Sequence, residues 1–183
     1  METGLRLSEL LSLKVSSVWQ NGAPVSVLRV PRWQLKGGRG PRARSIPGRV
    51  IPLNSKAQAA LAEYLVSRQA DPEEALFPSR EGGAALTRRQ GTRIVRKVLV
   101  AAGLDPARVW GGHSLRRRFC QRIYDQTKDI NLTRAAVGHR WIQTTQLYLG
   151  LADESAAEAI LALGWCSANS TVAMAAPQPA YAR

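Results

Sequence analysis

His113-Ser114-Leu115-Arg116 opens, and Gly138-His139-Arg140-Trp141-Ile142-Gln143-Thr144-Thr145-Gln146-Leu147-Tyr148 closes, the stretch on which the reading of this chain turns. The two segments hold both histidines of the protein, an arginine one helical turn after the first, and a tyrosine nine residues after the second. In a helix, His113 and Arg116 at i and i+3 project from one face. Arginine offers phosphate oxygens a planar fork of donors. Histidine exchanges protons near neutral pH. A tyrosine hydroxyl becomes a nucleophile when its surroundings favour attack. Together these residues point to chemistry on phosphate.

The totals agree. The 183 residues suffice for one domain with a core, and 45% apolar content argues against disorder over most of the length. Lys and Arg number 26 against 13 Asp and Glu, a formal net charge of +13. That excess predicts a polyanionic partner, nucleic acid first. A membrane surface is second, but no apolar run approaches about 18 residues and no basic amphipathic helix stands apart as an anchor. Cys120 and Cys166 form no C-x-x-C pair, which argues for a reducing compartment and against a disulfide framework; both read as small apolar residues. With the two histidines they lack metal-ligand spacing, so neither a metal nor a cofactor is expected. The chain enters a helical pattern without a signal peptide. The expected setting is the bacterial cytosol or nucleoid.

Outward from the central stretch, Arg117, Arg118 and Arg122 extend the charge of the helix begun by His113, while Leu115, Phe119 and Ile123 turn inward. Asn131 to Val137 reads as a short helix ended by Gly138, Trp141 to Leu149 as another, and Asp153 to Leu163 as a last one. A disordered tail is expected from Ser167 to Arg183. Before the stretch, Leu104 to Gly112 is a loop. Thr87 with Gln90 forms a capping box for a helix to about Ala102, stopped by Gly103. Ile94, Val95, Val98 and Leu99 form its inner face; Arg88, Arg89, Arg93, Arg96 and Lys97 form its outer one. Asn54 or Ser55 caps a helix from Lys56 to about Gln69, with Ala57, Ala60, Leu61, Tyr64 and Leu65 inward, broken by Asp71-Pro72.

Val15 to Val18, a turn over Gln20 to Pro24, Val25 to Trp33 with Val25, Val27 and Val30 alternating, and Gly48 to Leu53 predict a three-stranded antiparallel sheet. A Gly-rich loop before its last strand carries Lys36, Arg39, Arg42, Arg44 and Arg49, a density that suits phosphate contact. It contains no P-loop pattern. At the front, Leu7, Leu10, Leu11 and Leu13 make a helical stripe opened by Thr3 or Gly4. Arg6 and Glu9 at i, i+3 are either an exposed ion pair of little worth or an arginine held toward a ligand.

Three boxes now stand in order: Thr3-Gly4-Leu5-Arg6-Leu7-Ser8-Glu9-Leu10, His113-Ser114-Leu115-Arg116, and Gly138-His139 followed nine residues later by Tyr148. They resemble the catalytic boxes of the tyrosine recombinases, the phage-integrase and XerC/XerD-like site-specific recombinases, over residues 2 to about 163. The resemblance implies an α+β fold, mostly helical with a small antiparallel sheet, over a catalytic domain at 1–166. It implies that Arg6 and Arg116 clamp the scissile phosphate, with Glu9 in support. Lys36 would protonate the leaving 5′ hydroxyl, Arg39 being its competitor for that role. His113 and His139 would assist proton transfer, and Tyr148 would form a 3′-phosphotyrosyl link. Double-stranded DNA would be the partner, met by Arg39, Arg42, Arg44, Arg88, Arg89, Arg93 and Arg117, with a homo-tetramer on two DNA sites and a monomer otherwise.

The family's catalytic domain normally carries another helix or so before the first box, and a DNA-clamping domain before that. The resemblance therefore implies an N-terminally truncated recombinase. Arg117 stands where the family often has a histidine, and Trp141 either assists the leaving group or packs in the core. Two other readings stand beside the recombinase: a non-catalytic DNA-binding remnant, and a type IB topoisomerase-like enzyme with the same nucleophile and arginine chemistry.

Overall fold

The computed structural model describes residues 2–41, 47–80, 82–108 and 111–150. Arg42, Arg44 and Cys166, the expected helix from Asp153 to Leu163 and the expected tail lie outside the described residues.

The chain begins with α1, Leu7–Leu11, one turn later than Thr3 or Gly4 would have opened it. Arg6 is the N-cap, and its main-chain N–H donates to the Glu9 carboxylate at 2.8 Å, so the acid satisfies an end group of the helix it belongs to. Val15–Ser17 is a 3-10 turn rather than a strand. The Val15 and Ser16 amides donate to the Glu74 and Pro72 carbonyls, and the Val18 amide folds back to the Val15 carbonyl. No row of groups is left for a ladder.

The expected three-stranded sheet is therefore two separate antiparallel pairs. β1 (Trp19–Gln20) and β2 (Ala23–Pro24) form a tight hairpin whose Asn21 and Gly22 both take positive φ, 52° and 77°, as a two-residue hairpin turn requires. β3 (Val27–Val30) pairs with β4 (Arg49–Pro52), Leu28 opposite Ile51 and Val30 opposite Arg49. Leu28 and Val30 are the buried residues of β3, so the inward phase is set by them and not by Val25 and Val27.

α2 (Ser55–Val66) is capped by Asn54, whose side chain accepts from the Ala57 amide, and ends three residues before Gln69. Leu65 is its buried residue; Ala60 and Tyr64 lie exposed, contrary to the periodic reading. α3 (Arg88–Ala101) has the expected Thr87–Gln90 capping box. It meets α1 closely at Gly91, where a Cβ would stand 2.7 Å from a Leu11 methyl. Ile94 and Val98, expected inward, are about half exposed or more.

α4 (Gly112–Thr127), α5 (Ile130–Val137) and α6 (Ile142–Leu149) pack on one another. α5 is capped by Asp129, which accepts from the Asn131 and Leu132 amides, and is stopped by Gly138 at φ 75°. Apolar burial falls into two clusters. The larger gathers Leu5, Leu13, Val15, Val18, Leu28, Val30, Ile51, Leu53, Leu65 and Leu76 around the sheets and α2. The smaller is Cys120, Val137 and Leu149 between α4, α5 and α6. Among the described residues no helix is long and apolar enough to cross a membrane.

Candidate active site

The site lies where the two clusters meet. Glu9, 1% exposed, organises its first half. Besides the Arg6 amide, its carboxylate accepts from the Arg6 guanidinium at 2.9 Å and from the Lys36 amide at 3.3 Å. One buried acid thus fixes the start of α1, the Arg6 side chain and the loop that carries Lys36. Burial would raise its pKa, but the bonds from Arg6 and Lys36 outweigh that and hold it below the ordinary carboxylate value. The Arg6–Glu9 pair is not the exposed ion pair that the spacing alone allowed.

Arg116 organises the second half. It is 1% exposed, and its guanidinium donates to the Gly4 carbonyl and, at 2.9 Å, to the Val137 carbonyl. It therefore ties the segment that enters α1 to the last turn of α5. Its Nε–H is buried with no protein partner among the described residues. Burial, then the neighbouring Arg6, push its pKa down to about 10, so it stays charged at neutral pH.

His113 stands one turn before Arg116 on α4. Its Nε2 is 2.8 Å from the Tyr148 hydroxyl, delivered by α6. His139, just past Gly138, is buried, with its ring edge-on to Tyr148 at 4.7 Å between centroids. Its Nδ1 is 3.1 Å from the Thr145 hydroxyl, and its Nε2 is buried without a protein partner among the described residues. Burial first, then Arg116, Arg6 and Arg49, push the His139 pKa down to about 4. Burial and the same two arginines, Arg116 and Arg6, also lower His113. Both imidazoles are thus neutral at pH 7.

A cleft of about 470 Å³ is lined by Arg6, Lys36, Arg88, His113 and Arg116. Arg39 does not line it; its guanidinium lies 5.7 Å from the Trp33 ring centre and donates to the Trp33 carbonyl. Arg88, Arg89 and Arg93 line a shallow groove along α3, with Arg88 shared between groove and cleft. Arg117 donates through Nε to the Tyr148 carbonyl at 3.1 Å, bracing the helix end that carries the hydroxyl. Trp141 is 62% exposed with Arg140 over its ring, which removes the core-packing reading.

Two residues were missed. Thr145 is fully buried against His139 and three residues before Tyr148, so the helical spacing Thr145–Tyr148 carried the signal. Arg49, grouped with the phosphate-facing cations although it falls in the expected strand Gly48 to Leu53, lies on β4 with its guanidinium donating instead to the Ala136 carbonyl at 2.8 Å. Nothing in the linear spacing distinguished it from its loop neighbours.

The site thus sets a buried arginine, Arg116, and a half-buried one, Arg6, beside two neutral histidines and a helix-borne tyrosine. Residues 1–155 match the model of the phage integrase family, and the chain belongs to that family. Over 164 residues it is 32% identical to the tyrosine recombinase XerD of Caulobacter vibrioides, covering 86% of this chain and 49% of that protein. It is likewise 32% identical over 149 residues to the tyrosine recombinase XerC of Xylella fastidiosa, covering 81% and 45%. Among solved structures it resembles the XerA recombinase (TM-score 0.64, 25% identity, 88% of this chain and 52% of that one). It also resembles the XerH site-specific recombinase bound to palindromic difH substrate in a post-cleavage complex (TM-score 0.63, 26% identity, 87% and 42%). The chain spans about half the length of these relatives.

Proposed function

We propose that this chain is the catalytic domain, residues 1–166, of a site-specific DNA recombinase that breaks and rejoins strands through a 3′-phosphotyrosyl intermediate. The observation that carries the reading is the Tyr148 hydroxyl 2.8 Å from a neutral His113 ring and beside His139, next to a cleft lined by Arg6, Lys36 and Arg116. Integration, excision or inversion of a mobile element would each use this chemistry. The XerH relative, solved on its difH substrate, supports DNA as the partner. The surplus of +13 and the cationic groove on α3 support it independently.

In the proposed step the Tyr148 oxygen attacks phosphorus, the P–O bond to the 5′ oxygen breaks, and a P–O bond to tyrosine replaces it. His113 Nε2 accepts the phenolic proton. Lys36 gives a proton to the departing 5′ oxygen; its place in the cleft, against Arg39's engagement with Trp33, supports Lys36 in that role. Arg6 and Arg116 offset the charge of the phosphodiester and the charge added on attack. In this reading the Thr145 hydroxyl, 3.1 Å away, donates to His139 Nδ1, which would leave the proton on the buried Nε2 as a donor for a phosphate oxygen. The high-energy ester to Tyr148 is retained, so another DNA hydroxyl can reverse the step without ATP. Assembly as a homo-tetramer on two DNA sites, in the bacterial cytosol, completes the proposal.

The test is a covalent trap on nicked suicide duplexes, read on denaturing gels. Wild type should give a slow DNA–protein band and Tyr148→Phe none. Salt-sensitive DNA binding without any band in wild type would sink the catalytic reading in favour of a DNA-binding remnant. Relaxation of supercoiled DNA without a preferred site would move it to the topoisomerase class.

A further inference from the structure

We infer that Arg49 is a positioning residue for His139, clamping the C-terminal turn of α5 onto β4 so that the imidazole is held beside Tyr148. The inference rests on the proposed recombinase chemistry for its consequence, but not for its geometry.

Three observations lead there. First, Arg49 Nη2 donates to the Ala136 carbonyl at 2.8 Å, a link across 87 residues between the strand and the turn that precedes His139. Carbonyls of a helix's last turn lack partners within the helix, so an external donor fixes where the turn lies. Second, the guanidinium closes over Gly138. A Cβ on that residue would stand 2.7 Å from Arg49 Nε and 2.9 Å from Cζ, so only glycine admits the arginine at this distance. Gly138 also sits at φ 75°, which means that one residue serves both the helix stop and the clamp. Third, Arg49 Nη1 is buried with no hydrogen-bond partner among the described residues, an expensive condition for a cation.

The neighbours explain why the cation is tolerated. Glu9 attracts Arg49 while Arg6 repels it, and Arg49 in turn acts on Arg116 and His139. One buried carboxylate among three arginines leaves the site cationic before an anion arrives. A scissile phosphate would relieve that excess, so the clamp and the charge serve the same ligand.

The experiment is a double-mutant cycle on the full chain, using the single-turnover rate of covalent complex formation at saturating protein. Arg49→Ala should slow that rate roughly 10- to 100-fold, the scale of a misplaced catalytic group, with DNA affinity within about threefold. In a His139→Ala background, Arg49→Ala should add less than about a threefold loss, because the two residues act as one unit. An equal loss in both backgrounds, or no loss in either, overturns the inference. A second readout does not need activity. The side-chain nitrogen resonances of His139 should move in Arg49→Ala while the Leu28 and Leu76 methyl signals stay. Unchanged His139 resonances would overturn the inference even if wild type forms no covalent complex, an outcome that would count against the proposed function alone.

Discussion

The two halves of the described molecule are held together by different means. Around β3, β4 and α2 the buried residues are almost all aliphatic, from Leu5 and Leu13 to Leu76. Around α4, α5 and α6 the apolar cluster is only Cys120, Val137 and Leu149, while Arg116, Thr133, His139 and Thr145 are buried beside it. The first half gains its stability from area removed from water, which is non-directional and tolerant. The second depends on hydrogen bonds with one acceptable geometry, each costly to leave unmade. The difference suits the proposed chemistry: a scaffold that can vary in detail carries a site that cannot.

The largest effect should come from substitution in the scaffold half. Leu28→Ala removes a side chain that is 1% exposed at the centre of the larger cluster. It should lower unfolding free energy by about 2–5 kcal/mol, a large share of a typical domain's total. Urea unfolding checks the loss. The folded fraction should still form the covalent complex at the wild-type rate; a rate that falls faster than the folded fraction would show that the two halves are not separable in this way.

Glu9→Gln tests the junction. The carboxylate accepts three bonds with both oxygens, and an amide offers one acceptor and turns a donor against Arg6 or Lys36. The expected loss is about 1–3 kcal/mol in unfolding free energy. Because the same acid holds Arg6 and the Lys36 loop, the covalent rate should also fall, unlike in Leu28→Ala. A loss of stability at an unchanged rate would make Glu9 part of the scaffold alone.

The same contrast decides what could be read in the linear chain. Caps and stops were legible because their chemistry is local: Thr87 with Gln90, Asn54, and Gly138 all act within one turn of themselves. The order of boxes placed Arg6, Glu9, His113, Arg116, His139 and Tyr148 in one family pattern, and the fold brings these residues together. What failed was decided by distant partners. Val15–Ser17 reads as a strand because valine suits strands, but the Val15 and Ser16 amides bond to the Glu74 and Pro72 carbonyls and the Ser17 amide to that of Lys14. Ile94, Val98 and Tyr64 followed helical periodicity, yet nothing in the described fold covers those positions fully. Arg49 reads as one more cation for phosphate until the carbonyl of Ala136, far along the chain, comes to meet it.

A gradual effect, spread over several pH units, separates the halves by pH. His139 has its pKa pushed down to about 4 in the folded chain, against an ordinary 6.5. As pH falls through 6.5 the unfolded chain takes up this proton and the folded chain does not, so stability falls; the decline from this group ends only near pH 4, where the folded form protonates as well. Each tenfold difference in proton affinity between the two states corresponds to about 1.4 kcal/mol, which sets a loss on the order of 1–3 kcal/mol across that window. His113, also lowered, adds in the same direction. Glu9 adds at the acid end, since a carboxyl held below its ordinary value contributes stability that is lost as it protonates. Urea midpoints measured from neutral pH downward should therefore decline in wild type and decline less steeply in His139→Gln. Leu28→Ala, altered in the other half, should keep the full wild-type slope from a lower starting point. Equal slopes in wild type and His139→Gln would mean that the burial of His139 is not what makes this half sensitive to acid.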